Sequence, residues 1–416
     1  MERMVLVYID LESQPHLVGR LFSRYLRGRE TASFEYDHSW LSHPESFALE
    51  PFLSLDKGKH HTPHNKSLFG AFGDSSPDRW GRILMRRSEQ RISEFKNKEP
   101  RTLLELDYLL MVNDEARQGA LRFKRNKEDP FLAPNSAQVI PPLLDLPHLL
   151  SASQRIVEAT DQDDDLRLLL APGSSLGGAR PKSTVRDKDG SLSIAKFPHP
   201  TDEIRVEAWE SVALKLASKS GIEIPEHRLE EISGRPVLLL KRFDRSPEGH
   251  RIPFLSAMSF LSANDNEVRS YIEISDIITR YGANPKHDRE QLWRRIVFNV
   301  LISNTDDHLR NHGFLYQRGS GWVLSPAYDL NPVPIDIKPR ILSTAIGLDD
   351  QRACLDIAFE HASYFGISLK RGKEIVLDVS SAVSIWRQVA SKQGISKQEI
   401  ERMSSAFEHK DSRRSY

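Results

Sequence analysis

Cysteine is nearly absent from this chain: Cys354 is the only one among 416 residues. A disulfide framework within the chain is therefore excluded, and the composition fits a reducing compartment, so we expect a cytoplasmic protein. Basic and acidic side chains balance at 58 each, which gives a formal net charge of zero. This balance gives no reason to expect direct binding to nucleic acid or to an anionic membrane.

Long apolar runs are missing as well. No stretch approaches the roughly 20 apolar residues that span a bilayer, and residues 4–10 read as a strand rather than as the apolar core of a signal peptide. The His-Glu-x-x-His motif is absent, so no zinc-protease motif supports a hydrolase. The length predicts two or three domains or lobes at about 150 residues each.

The clearest chemical signal lies in residues 301–311, directly after an apolar run. Asp306 and Asn311 are five positions apart, and a second isolated acid, Asp329, follows 18 residues after Asn311. Asp-x-x-x-x-Asn with a later Asp is the spacing of a kinase catalytic loop, in which one Asp accepts the proton of the attacking hydroxyl and the other two groups hold Mg²⁺. The alternative is that Asp306 and Asn311 cap a turn after a buried helix.

A Gly-rich loop at residues 172–183 precedes a predicted β-hairpin with an Asp189-Gly190 turn. The loop is neither a Walker A motif nor a dinucleotide-binding fingerprint, although its glycines and hydroxyls suit phosphate. Lys196 lies on the second hairpin strand, on the same face as Ile194. It is either a phosphate-binding lysine or an exposed lysine of an edge strand.

Two further features complete the kinase hypothesis. Glu207 and Glu210 share one face of the next predicted helix, so either can pair with Lys196. The apolar strand that ends at 241–243 is placed where a kinase hinge offers backbone groups to adenine. His308 either orients the catalytic loop or contacts a phosphate, although a lone histidine is more often a structural hydrogen-bonding group.

Together these segments resemble the signatures of HipA-family serine/threonine kinases, the toxins of bacterial toxin–antitoxin systems. The resemblance covers nearly the whole chain, and its motifs are specific as an ordered set. They stand at residues 18–21, 34–36, 72–82, 175–182, 195–198, 241–245, 304–311 and 327–330.

For the catalytic half, the resemblance implies a role for each residue of the motif. Asp306 is expected to be the catalytic base, and Asn311 and Asp329 are expected to bind Mg²⁺. His308 is expected near the phosphates of ATP.

For nucleotide binding, the resemblance implies that Lys196 holds the ATP phosphates and that Glu210, ahead of Glu207, is its ion-pair partner. Ser175 matches the loop serine that such kinases autophosphorylate, with Ser174 as the alternative acceptor. The expected ATP-binding residues of the loop and hinge are Ser175, Leu176, Gly177, Gly178, Lys241, Arg242 and Phe243.

The implied fold is α+β and two-lobed, like a protein kinase: a mixed α/β N-terminal lobe with an extra subdomain, and a mostly helical C-terminal lobe. We expect a HipA-type subdomain at 1–125, a linker at 126–148, the kinase N-lobe at 149–243 and the helical C-lobe at 244–416. A HipB-like helix-turn-helix antitoxin is the expected partner, so that DNA is bound only through it and no membrane is involved.

The loop reads Gly-Gly-Ala-Arg-Pro-Lys at 177–182, and Lys241 stands where Glu is typical of the family. These departures leave phosphotransfer intact and leave the protein substrate open, with an aminoacyl-tRNA synthetase as one candidate. A small-molecule kinase is the alternative enzyme. A catalytically silent kinase-like scaffold that binds an antitoxin repressor is the alternative outside enzymes.

Overall fold

The computed structural model describes residues 2–133, 140–170 and 178–413. The chain divides into two compact units. The first comprises Met1–Pro200 and Leu239–Leu255, and the second comprises Thr201–Leu238 and Ser256–Tyr416. None of the helices in the described ranges is long and apolar enough to cross a membrane.

The first unit begins with a five-stranded antiparallel sheet. Its neighbouring strands lie in the order β4-β3-β2-β1-β5. Alternate side chains of these strands, such as Val7, Leu21 and Phe34, are fully buried, as expected of a sheet with one face on the core. The strands are β1 (Glu2–Leu11), β2 (Gln14–Leu26), β3 (Arg29–Tyr36), β4 (Lys59–His61) and β5 (Leu121–Lys124).

Helices of the first unit follow between and after these strands. The longest, α3, begins at the N-cap Asp78, whose carboxylate accepts a hydrogen bond from the backbone N–H of Gly81. The set is α1 (His38–Leu41), α2 (Gly70–Asp74), α3 (Arg79–Phe95), α4 (Glu105–Met111), α5 (Leu146–Glu158) and α6 (Asp163–Leu170).

The predicted hairpin is confirmed as β6 (Lys182–Arg186) and β7 (Leu192–Lys196), which pair antiparallel. Its alternation is also confirmed, because Ala195 and Phe197 are fully buried while Ile194 and Lys196 are half-buried. Strand β7 neighbours β9 (Arg235–Lys241), of which residues 239–241 belong to the first unit.

The second unit is mostly helical. Residues 292–302 of helix α10 are buried on every side, so this helix is a core element rather than an amphipathic surface helix. The elements are α7 (Val206–Lys219), β8 (His227–Ile232), the first part of β9, α8 (Ala257–Phe260), α9 (Tyr271–Tyr281), α10 (Pro285–Ile302), β11 (Gly313–Gln317), β12 (Gly321–Leu324), α11 (Leu355–Glu360), α12 (Leu369–Ser384), α13 (Trp386–Lys392), α14 (Lys397–Arg402) and α15 (Ser404–Phe407). The short strand β10 (Phe254–Ser256) crosses the boundary between the units.

The division into two units agrees with a two-lobed organisation, the first rich in sheet and the second in helix. The finer division of the chain at 125, 148 and 243 stays a prediction.

Candidate active site

The segment that carries Asp306 and Asn311 is a tight turn at the end of the buried helix α10. The helix ends at Ser303, whose φ of 53° is left-handed and turns the chain away. The backbone carbonyl of Asp306 accepts hydrogen bonds from the His308 N–H at 2.9 Å and from the Asn311 side-chain amide at 3.2 Å. The structure therefore brings Asp306 and Asn311 together on one turn of the second unit.

The two adjacent acids in this turn have opposite surroundings. The Asp306 side chain is 67% exposed, whereas that of Asp307 is 3% exposed. Asp307 Oδ2 accepts hydrogen bonds from Tyr271 Oη at 2.5 Å, Asn299 Nδ2 at 2.7 Å and His312 Nε2 at 2.8 Å. Asp307 thus fixes the turn to the core and leaves Asp306 to face solvent.

Electrostatics keep this inner acid ionised. Burial raises the pKa of the Asp307 carboxyl, but the nearby His312 and the hydrogen bonds from His312 and Tyr271 outweigh burial, so the pKa lies below its ordinary value. An ionised acceptor makes stronger hydrogen bonds than a neutral one. The ionised Asp307 carboxylate therefore anchors the turn. The sequence alone did not show which of the two adjacent acids is buried and which is exposed.

The segment of Asp329 is tied to the same turn by Tyr328 and Asn331, which lie on either side of Asp329 in the sequence. Tyr328 Oη donates to the Arg310 carbonyl at 2.6 Å, and the Asn331 N–H donates to Asn304 Oδ1 at 3.4 Å. Asp329 itself has a left-handed φ of 56°, which costs energy for a residue other than glycine and is typical of functional sites.

The described residues contain no cluster of three or more His, Cys, Asp or Glu side chains suited to a metal ion. Asn311 and Asp329 are not such a cluster. They offer an amide and a carboxylate oxygen, the hard donors that suit a Mg²⁺ ion held mainly by water and substrate phosphates. The donor set therefore fits the predicted ion, and the metal assignment stays a prediction.

His308 begins the short 3-10 turn Leu309–Asn311. Its Nδ1 atom is buried and makes no hydrogen bond to any described residue. The role of this histidine near a phosphate stays a prediction.

In the first unit, the strand pairing sets two lysines side by side. Lys182 and Lys196 are directly opposite each other in β6 and β7. Like charges at opposed positions destabilise a strand pair unless an opposite charge is near. Of the Gly-rich loop, Gly178 is described and has a left-handed φ of 110°, whereas Ser174, Ser175, Leu176 and Gly177 lie outside the described residues.

The anionic partner of Lys182 comes from the N-terminal part of the chain. Its Nζ atom lies 2.9 Å from Asp78 Oδ2, and both side chains are only 5% exposed. Trp80 also holds the backbone of Lys182 in position, because its indole N–H donates a hydrogen bond to the Lys182 carbonyl at 3.0 Å. The Asp78 and Trp80 motif therefore holds the end of the Gly-rich loop, a role that the sequence did not reveal.

The Asp78–Lys182 pair leads to a stability prediction. Asp78→Asn should keep the helix cap, since Asn caps as well as Asp, but should lower the free energy of unfolding by about 3–5 kcal/mol because the buried Lys182 ammonium loses the carboxylate charge of Asp78. Chemical denaturation measures this loss. The double variant Asp78→Asn/Lys182→Met should recover most of it, and a double variant as unstable as the single one would refute the pair's role.

The predicted hinge, residues 241–243, ends β9. The Arg242 guanidinium is buried and donates to Asp244 Oδ1 and Oδ2 at 2.8 and 2.6 Å and to the Ala116 carbonyl at 2.6 Å. Its side chain is thus committed within the first unit, so any contact of Arg242 with adenine is restricted to its backbone. Lys241 is half exposed, with Nζ 3.7 Å from Asp189 Oδ2.

Glu207 and Glu210 lie on α7 in the second unit, and both side chains are buried. Neither is therefore a solvated surface acid. Lys196 belongs to the first unit. The predicted ion pair of Lys196 with Glu210, ahead of Glu207, stays a prediction.

Comparison with known proteins decides the family. Residues 174–394, more than half of the chain, match the HipA-like C-terminal domain. The chain belongs to this family. The resemblance inferred from the ordered motifs is confirmed.

Two curated relatives, each bearing the name "Putative kinase", match shorter segments. The Haemophilus influenzae protein is 26% identical over 195 residues, which are 42% of this chain and 56% of that protein. The Sinorhizobium fredii protein Y4dM is 31% identical over 135 residues, 29% of this chain and 32% of that protein. The chain thus spans about half of the first relative's length and a third of the second's.

Among solved structures, this chain resembles one chain in the complex of the Shewanella oneidensis toxin–antitoxin proteins HipA and HipB with operator DNA. The TM-score is 0.64 at 15% sequence identity, and the match covers 97% of this chain and 94% of that chain. The likeness establishes the fold. The expected fold class, a two-lobed kinase-like α+β fold of the HipA type, is confirmed.

Proposed function

We propose that this protein is an ATP- and Mg²⁺-dependent serine/threonine protein kinase and the toxin of a toxin–antitoxin system. The observation that carries the proposal is the turn after α10. It presents an exposed Asp306 carboxylate beside Asn311, is fixed to the core by the buried Asp307, and is tied to the segment of Asp329. These contacts support the proposal, because they accompany the residue spacing of a kinase catalytic loop.

Each residue of the proposed mechanism has a distinct task. Asp306 accepts the proton of the substrate hydroxyl, and Asn311 and Asp329 hold Mg²⁺, which neutralises phosphate charge when bound. Lys196 binds the ATP phosphates beside the Gly-rich loop. In that loop Gly178 has a left-handed φ and no side chain, so its backbone can approach a phosphate closely. His308 lies near the phosphates, and the hinge 241–243 offers backbone groups to adenine.

The partner we propose is a HipB-like helix-turn-helix antitoxin. The solved relative contains HipA, HipB and operator DNA, and its fold spans nearly all of this chain. The formal net charge of zero gives this chain no electrostatic basis for tight DNA binding of its own. DNA contacts are therefore assigned to the antitoxin, in the cytosol that a chain with one cysteine fits.

The substrate we propose is a protein, with an aminoacyl-tRNA synthetase as one candidate. The decisive experiment incubates the purified chain with Mg²⁺, γ-³²P-labelled ATP and a dephosphorylated cell lysate. Label on serine or threonine of lysate proteins supports the proposal. Label confined to small molecules supports the small-molecule kinase, and an absence of ATP turnover supports the silent scaffold.

Regulation by the Gly-rich loop gives a further prediction. A phosphate on Ser175 adds about −1.5 to −2 charges where the ATP phosphates bind. We expect the Ser175 phosphoform to bind ATP on the order of tenfold more weakly or worse, since juxtaposed like charges cost several kcal/mol. Mass spectrometry after incubation with Mg·ATP identifies the site, and calorimetry compares the two forms.

Ser174 is the competing acceptor, so Ser174→Ala and Ser175→Ala are the matched pair of variants. Ser175→Ala should abolish the modification, and Ser174→Ala should leave it intact. No phosphate on either serine, or equal ATP affinity of the two forms, would refute self-inactivation.

A further inference from the structure

The carboxylate of Asp306 has a basic neighbour that none of the motifs contains. Lys338 Nζ lies 3.2 Å from Asp306 Oδ1. We propose that Lys338 is a catalytic residue, which donates a hydrogen bond to the phosphoryl group while that group moves from ATP to the substrate hydroxyl. This inference rests on the proposed kinase function and assigns it a further residue.

The position of Lys338 is set by the same turn that sets Asp306. On one side of Lys338, the Val333 N–H donates to the Ser303 carbonyl at 3.2 Å. On the other side, Arg340 donates to Ser303 Oγ at 3.1 Å and to the Val300 carbonyl at 2.9 Å. The lysine therefore sits on a segment held on both flanks at the end of α10.

The backbone around Lys338 is itself restricted. Pro332, Pro334 and Pro339 fix φ at three positions of the segment. The N–H groups of Ile337 and Lys338 both donate to the Pro334 carbonyl, at 3.0 and 3.2 Å, which closes a turn. A cation held in place before the reaction stabilises developing charge without the cost of reorganisation.

The hydrogen bonds of the pair leave room for a ligand. A lysine ammonium has three N–H donors, and within the described ranges the Lys338 ammonium is bound to Asp306 Oδ1 alone. Asp306 Oδ2, the other carboxylate oxygen, accepts no hydrogen bond from any described residue. One N–H of the Lys338 ammonium therefore binds the Asp306 carboxylate, and its other two N–H groups can donate to phosphoryl oxygens. Oδ2 of Asp306 can accept the proton of the substrate hydroxyl.

The proposed step balances in atoms and electrons. The substrate hydroxyl oxygen forms the new bond to the γ-phosphorus, and its proton passes to Asp306 Oδ2. The bond from the γ-phosphorus to the bridging oxygen breaks, and its electron pair leaves with that oxygen on ADP. Lys338 donates to a non-bridging γ-oxygen in the transition state, and it is neither consumed nor deprotonated.

The ion pair of Lys338 with Asp306 contributes little to the stability of the fold. The Lys338 side chain is 41% exposed and that of Asp306 67% exposed. Ion pairs this exposed contribute roughly 0–1 kcal/mol. Variants of Lys338 should therefore fold normally, and their kinetics report on the reaction.

The test compares Lys338→Met with wild type and with Lys370→Met, which removes an exposed lysine of α12 in the same unit. The rate is that of ADP release with dephosphorylated cell lysate as the acceptor, corrected for the ADP that the lysate releases without the kinase. We expect Lys338→Met to lower kcat by about 10²–10³-fold, the cost of one transition-state donor. The KM for ATP and the melting temperature should stay unchanged, and Lys370→Met should match wild type.

A chemical rescue experiment tests whether the positive charge at position 338 is what the reaction requires. The chain has one cysteine, so Cys354→Ser removes competing thiols. In that background, Lys338→Cys should be as slow as Lys338→Met, and treatment with 2-bromoethylamine should restore most of kcat because it creates a lysine analogue. The treated Cys354→Ser parent is the control.

The outcomes are distinguishable. Wild-type protein without phosphotransfer would overturn the proposed function itself. With active wild type, the role of Lys338 is overturned if Lys338→Met keeps kcat within twofold, turns over faster, or changes only the KM for ATP. Failure of the aminoethylated cysteine to regain activity would overturn it as well.

Discussion

Replacing Asp306 with Asn is expected to slow phosphotransfer from ATP by about 10²–10⁴-fold, the usual contribution of a general base. The fold and the affinity for ATP should survive, because the side chain is exposed and its carboxylate is bound among the described residues only by Lys338. Coupled measurement of ADP release, together with ATP calorimetry, checks both parts.

Asp307→Asn is the matched control for that experiment. It changes the adjacent acid in the same chemical way, but Asp307 is buried and accepts three hydrogen bonds. Its loss should lower the free energy of unfolding by about 1–3 kcal/mol or more. An Asp306→Asn protein with near-normal turnover would remove Asp306 from the mechanism, and a fully stable Asp307→Asn protein would remove Asp307 as the anchor of the turn.

The second large effect is expected at Asp329. Asp329→Asn should weaken Mg²⁺-dependent ATP binding by about 10²-fold or more, because a metal site loses its one anionic protein ligand and such charge stabilisation is worth several kcal/mol. Asn is chosen because it tolerates the left-handed φ of 56° at this position. Calorimetry of ATP with and without Mg²⁺ measures the loss.

Asp349→Asn serves as its control, since Asp349 is an exposed acid of the same unit. It should leave both affinities unchanged. If Asp329→Asn binds Mg·ATP as tightly as wild type, the metal assignment fails while the assignment of Asp306 stands.

The hairpin and the catalytic turn show what short-range patterns can predict. Period-2 alternation in 194–197 correctly placed Ile194 and Lys196 on one face and Ala195 and Phe197 on the other, because alternate residues of a strand point to opposite sides. The five-residue spacing of Asp306 and Asn311 likewise fits a single turn closed by local hydrogen bonds. Both features depend on neighbours in sequence, which a sequence displays directly.

The sequence by itself determined the family, the fold class and the ordered set of candidate residues. The tertiary structure alone decided that Asp306 faces solvent while Asp307 is buried, and that Arg242 is bound within the first unit. It also supplied Asp78 for Lys182 and Lys338 for Asp306, which are 104 and 32 positions apart in the chain. The reason is physical. Burial and ion pairing depend on which distant segments the packed core brings together, and the type and spacing of residues do not show which segments become neighbours.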